Sequence, residues 1–238
     1  MTINIHDYRG KQHIYNSFRQ TSAHPKQLYN DSRKYRYHKE HKTEKTTQLK
    51  IAAGSIVGTL IPMIFLAKRQ SPKKQLSSIK DLFKINYGVK EMIAISAGSI
   101  AGGVGTGLIV DKNADKKRKL NEGVFQFLNA SVPPIFVGGL LKITEKTKHL
   151  NNIPGKIAAT AIGLLGGIPV ATTLANKIND PKNLEPDRKV TLKDSIANID
   201  DALGIFAMAK FPVVDKIPFE KILPAVYALC GFRAGQSN

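Results

Sequence analysis

The sequence predicts an all-α fold: a polytopic transmembrane helical bundle of about four glycine-rich spans, with a disordered basic N-terminal tail and a C-terminal pair of amphipathic helices. Three observations carry that expectation. The chain of 238 residues contains four stretches of 17 to 19 residues without a single charged side chain. Strongly basic connectors separate these stretches. Glycines recur four residues apart inside three of them.

Residues 1–48 are polar, basic and poor in branched apolar side chains. They cannot bury enough apolar surface to offset the entropy of ordering, so the segment is expected to be disordered. It lacks the apolar core of a secretory signal, and Asp7, Asp31, Glu40 and Glu44 fit a mitochondrial presequence poorly.

The membrane region is expected over residues 49–175. Its spans lie near 51–67, 92–110, 123–141 and 157–175. At 1.5 Å per residue each makes a helix of roughly 25–29 Å, close to the ~30 Å hydrocarbon thickness of a bilayer. One such stretch could be a buried core helix, but four are hard to hide in a soluble fold of this length. Every connector is basic, so four full spans leave a basic loop on the outer face, against the usual bias. The glycine-rich segment 92–110 is the candidate to re-enter rather than cross.

Residues 176–238 are more evenly charged. Leu192, Ile196, Ile199, Leu203 and Phe206 recur at spacings of three and four, an amphipathic helix. "PFEKILPAVYALCGF" forms a second short helix, bent at Pro224. Lys210, Asp215, Glu220 and Lys221 place this pair at the interface or half-buried rather than as two clean spans.

The stretch "AGSIAGGVGTGLIV" invites a phosphate-loop reading. A P-loop needs Lys and Ser/Thr after its last glycine, and here Leu108 and Ile109 follow Gly107. No Gly-x-Gly-x-x-Gly register fits either. The spacing instead suits helix packing. Gly54 and Gly58, Gly98 and Gly102, Gly103 and Gly107, and Gly163 and Gly167 are each four apart. Each pair shares one helix face and leaves a groove for a neighbouring backbone. Gly107, nearer the end of its segment, is expected to matter less than Gly102.

Candidate ligand groups are few. No Asp, Glu, Lys, Arg or His interrupts the four spans, which weighs against an ion-coupled path. Gln126 and Asn129 share a face and are expected to hydrogen-bond between helices. Pro62, Pro133, Pro134 and Pro169 read as kinks absorbed by packing. His38 and His41 lie in a lysine-rich tail and read as solvated, and Asp200 and Asp201 as an exposed helix face. Cys230, the lone cysteine, excludes an intrachain disulfide and a cysteine zinc site. No metal site, cofactor or catalytic residue is expected.

The net charge of +18 calls for an anionic partner. Arg33, Lys34, Arg36, Lys68, Arg69, Lys116, Lys117, Arg118 and Lys119 are the residues expected to contact anionic lipid head groups. Nucleic acid is the less economical partner for the tail, and glycine-rich helix faces also suit a homo-oligomer. The expected function is that of a multi-pass membrane protein of structural or scaffolding type, not an enzyme. A transporter or channel component with proline-bent helices is the first alternative. A membrane-tethered nucleic-acid or ribosome binder acting through the basic tail is the second.

The tail generates the first prediction. A peptide of residues 1–48 should show random-coil amide shifts and bind acidic vesicles with an affinity that falls as salt rises, measured by NMR and by vesicle titration.

Overall fold

The computed structural model describes residues 43–72, 76, 78–184, 186–190 and 219–237. The tail residues Arg33, Lys34, Arg36, His38 and His41, the amphipathic stretch 192–206, and Asp200 and Asp201 lie outside the described residues. Among those described there are five α-helices, one 3-10 helix and no strand: α1 (Lys45–Gln70), the 3-10 helix (Ile79–Lys84), α2 (Val89–Val110), α3 (Lys116–Lys146), α4 (Ile153–Asn179) and α5 (Phe219–Gln236). Residues 41–181 and 188–238 form one compact unit that carries all of these helices. In the other unit, Asn183 takes left-handed backbone at φ 50°, which asparagine tolerates better than most residues.

Helices α1 to α4 contain the four uncharged segments and are long and apolar enough to cross a membrane. Each extends beyond its segment because Lys, Arg, Glu and Gln at the ends are themselves good helix formers. Local signals set the boundaries. The Asp115 carboxylate accepts the Arg118 N–H at 3.0 Å to start α3, and the Asn152 side-chain Oδ1 accepts the Gly155 N–H at 2.7 Å to start α4. Before α2, the Glu91 carboxylate accepts the Gly88 N–H at 3.1 Å. Ser78 and Asp81 cap the 3-10 helix reciprocally.

α1 and α2 form one antiparallel hairpin: Gly54 lies against Thr106 and Gly102, and Gly58 against Gly102 and Gly98. α2 is a single uninterrupted helix along this contact, so segment 92–110 contains no re-entrant turn. α3 and α4 form a second antiparallel hairpin, with Gly163 against Val137 and Gly167 against Pro133. α3 joins the hairpins by packing on α2, where Gly123 meets Val104. α5 lies against α1, α2 and α3. It runs parallel to α2, since Gly231 meets Ser99 and Gly103 while Gly235 meets Gly103 and Gly107.

The helices are continuous through Pro62, Pro133, Pro134, Pro169 and Pro224. Two of these rings are accommodated by a glycine on the partner helix: Pro62 packs on Gly98, and Pro133 on Gly167. The bundle thus has an entry end, where α1 begins and α2 and α5 finish, and an opposite end. At the opposite end the connector folds back: Leu82, Ile85 and Tyr87 are buried and cluster with Met63, Leu66, Met92, Leu223 and Tyr227. The Gln70 amide fastens this connector, donating to the Asn86 carbonyl at 3.0 Å and accepting the Asn86 N–H at 2.7 Å.

In α4 and the middle of α1 the side-chain distribution is inverted relative to a water-soluble bundle. In α4 the buried residues are Ala159, Thr160, Gly163, Gly167, Ala171 and Ala175, while Ile157, Ile162, Leu165, Val170, Leu174 and Ile178 are exposed. α1 turns Ile56, Val57, Leu60, Ile61, Ile64 and Phe65 outward and buries Ser55, Gly58 and Thr59.

Candidate functional site

The candidate site is the seam where α5 enters the α1–α2 hairpin. Its backbone approaches so closely that a β-carbon on Gly103 would collide with the Gly231 carbonyl, and one on Gly107 with the Gly235 carbonyl. Reciprocally, a β-carbon on Gly231 would meet the Ser99 carbonyl, and one on Gly235 the Gly103 carbonyl. The hydrogen that stands in place of each β-carbon points at a carbonyl oxygen, the arrangement of a Cα–H···O contact. Two serines complete the seam. Ser55 Oγ donates to the Ala228 carbonyl and Ser99 Oγ to the Tyr227 carbonyl. The two hydroxyls lie 3.1 Å apart. Both serines are fully buried, as are Tyr227 and Ala234 of α5.

At the entry end the seam closes on a buried cation. The Lys119 side chain is completely inaccessible to solvent, and its Nζ lies 3.1 Å from Asp111 Oδ2. The same ammonium donates to the Gly235 carbonyl at 2.8 Å and to the Ser237 carbonyl at 3.0 Å. The last carbonyls of a helix lack intrahelical donors and carry partial negative charge, so a lysine there satisfies both needs. Thr43, just before α1, donates to the Gln236 carbonyl at 3.4 Å. The C-terminus of α5 is thereby tied to the start of α1, the end of α2 and the start of α3.

A second clamp joins α3 to the chain beyond α4. Arg188 grips Glu122 through two hydrogen bonds of 2.8 Å each, one from Nε and one from a terminal nitrogen. Its guanidinium stacks 3.5 Å from the centre of the Phe125 ring. Asn176 of α4 holds the Arg188 backbone by two bonds of 3.1 Å. Gln126 adds its amide to Glu122 at 2.8 Å.

The eight glycines singled out by spacing all sit at contacts between helices, though they face different neighbours. Gly54, Gly58, Gly98 and Gly102 line the α1–α2 contact, Gly103 and Gly107 face α5, and Gly163 and Gly167 face α3. Gly107 corrects the expectation of a lesser role: its place against the Gly235 backbone is as tight as that of Gly102 against Gly54. Helix phase explains the outcome, since the contact with α5 extends to the last turn of both helices. Gly231 and Gly235 were missed, although "GFRAG" carries the same four-residue spacing. The charges flanking the final helix obscured that signal.

The basic residues divide. Lys68, Arg69, Lys116, Lys117 and Arg118 are exposed, as lipid contact requires. Lys119 is not available to lipid, because burial against Asp111 and the α5 terminus consumes its donors. The amides differ from expectation too. Gln126 bonds to Glu122 and Asn129 to the Phe125 carbonyl at 2.9 Å, both within α3. The interhelical contact of Asn129, with Thr172 at 3.5 Å, is at the limit of a hydrogen bond. Gly102, Gly103, Gly105 and Gly107 all lie within α2 rather than in a loop, so their N–H groups run along the helix axis and cannot converge on a phosphate. Among the described residues, no group of three or more His, Cys, Asp or Glu side chains is placed to hold a metal.

No family model, no curated protein and no solved structure matches this chain.

Two predictions follow from the seam. Gly103→Leu forces a side chain into the α5 backbone and should cost about 1–3 kcal/mol, the range for overpacking, seen as a lowered melting midpoint in detergent. Gly105→Leu, where a β-carbon meets nothing within 4 Å, should leave that midpoint near the parent value. Lys119→Met strips Asp111 of its buried counter-charge and should cost about 3–5 kcal/mol. Adding Asp111→Asn should recover part of that loss, so the double variant falls short of the sum of the two single ones.

Proposed function

We propose that the chain is a multi-pass integral membrane protein of structural or scaffolding type, and that it works by holding helices together in a bilayer. The observation that carries this reading is the inverted distribution of side chains. Along α4 and the middle of α1, Ile, Leu, Val and Phe face outward while Gly, Ala, Ser and Thr are buried against neighbouring helices. In water such an apolar surface would drive association. In hydrocarbon it is solvated, and helix association depends instead on close backbone packing and interhelical hydrogen bonds. Charged residues fall at helix ends, at Lys50 and Lys68 in α1 and at Lys156 and Lys177 in α4. These long basic side chains suit the head-group layer.

The scaffolding reading is supported over a transport reading by how the polar groups are used. Ser55, Ser99 and Lys119 spend their donors on the α5 backbone, and Glu122 accepts from Arg188 and Gln126. Ser55, Ser99 and Lys119 thereby join helices, and the Glu122–Arg188 pair ties α3 to the chain beyond α4. The same reasoning favours a non-enzymatic role. In this reading the helix-packing residues are Gly54, Gly58, Gly98, Gly102, Gly103, Gly107, Gly163 and Gly167, joined by Gly231 and Gly235. The exposed Lys68, Arg69, Lys116, Lys117 and Arg118 contact anionic head groups.

Washing isolated membranes with carbonate and then with high salt tests the reading. The chain should remain in the pellet in both, since its retention rests on apolar surface that salt does not screen. Release by either wash would show a protein held only by its basic surface.

A further inference from the structure

We infer that α5 crosses the bilayer as a fifth span, running from the opposite end to the entry end, so that Thr43 and Ser237 lie on the same face of the membrane. The inference rests on the membrane reading and extends it to topology.

The depth of α5 is set by its contacts at both ends. At the entry end, Gly235 and Ser237 accept from Lys119, and Gln236 accepts from Thr43. At the opposite end, Leu223 and Tyr227 are fully buried among Leu82, Ile85 and Tyr87 of the folded-back connector. The parallel register with α2 is constant along the helix: Ser99 pairs with Tyr227, Gly103 with Gly231 and Gly107 with Gly235. Continued at the same offset, Phe219 stands level with Glu91, two residues into α2. The 18 residues of α5 rise roughly 27 Å at 1.5 Å per residue, a bilayer core's thickness. Glu220, Lys221 and Arg233 fall in the end turns of this helix, with an uncharged stretch from Ile222 to Phe232 between them.

α4 finishes at the entry end. Asn179 donates to the Asn121 carbonyl at 2.9 Å, and Arg188 is fastened to Glu122, one helical turn from Lys119. α5 starts at the opposite end and returns to the entry end.

Single cysteines introduced in a Cys230→Ala background and probed with a membrane-impermeant maleimide, on intact and on inverted vesicles, test the inference. Lys112→Cys marks the entry end and Lys148→Cys the opposite end. Lys216→Cys and Ser237→Cys bracket α5. The expected result is that Ser237→Cys labels with Lys112→Cys and Lys216→Cys labels with Lys148→Cys. Labelling of Lys216→Cys and Ser237→Cys from one side would overturn the fifth span. Labelling of Ser237→Cys with Lys148→Cys would reverse α5 and overturn its inferred direction. If Lys112→Cys and Lys148→Cys themselves label from one side, the membrane reading beneath the inference fails, a result distinguishable from the other two.

Discussion

The approach of the α5 backbone to α2 is the constraint on which the bundle depends. Gly103, Gly107, Gly231 and Gly235 remove the β-carbons along the entry half of that line, where a carbonyl of one helix occupies the space in which the other would carry a side chain. Contacts this close leave no room for correction by side-chain repacking. They fix the rotation and the height of α5 together. Once α5 is seated, Ser55 and Ser99 meet its carbonyls, Lys119 meets its last turn, and Leu223 and Tyr227 fill the pocket under the connector.

The two ends of the bundle are closed by different physics. At the entry end, electrostatics and hydrogen bonding act on helix termini. Lys119 neutralises the partial charge at the end of α5 while balancing Asp111, and Arg188 binds Glu122 in a planar, two-point grip. At the opposite end, a short 3-10 helix turns apolar residues back over the ends of α1, α2 and α5. Between the ends, glycine and serine bring α1, α2 and α5 into close backbone contact, and Ile100 and Val104 of α2 cluster with Ala234 of α5. That division suits surroundings in which the middle of the bundle gains nothing from hiding apolar surface and the ends meet water.

The sequence by itself determined the helical class and the position of four long apolar helices, because an uncharged run of bilayer length is a local property. It also marked the glycines that lie at contacts, because a spacing of four places residues on one face whatever the neighbour is. It did not reveal which neighbour each face meets. Gly102 and Gly103 are adjacent in the chain yet serve different partners, since one residue turns a helix by 100°. Lys119 stood in a basic run beside Lys116, Lys117 and Arg118, and nothing local distinguished it. Only the meeting of α2, α3 and α5 at one end set that ammonium in front of Asp111 and two carbonyls. The placement of α5 was likewise a tertiary decision. Its flanking charges read locally as an interfacial or half-buried helix, and packing against three neighbours buries Leu223, Tyr227, Cys230 and Ala234.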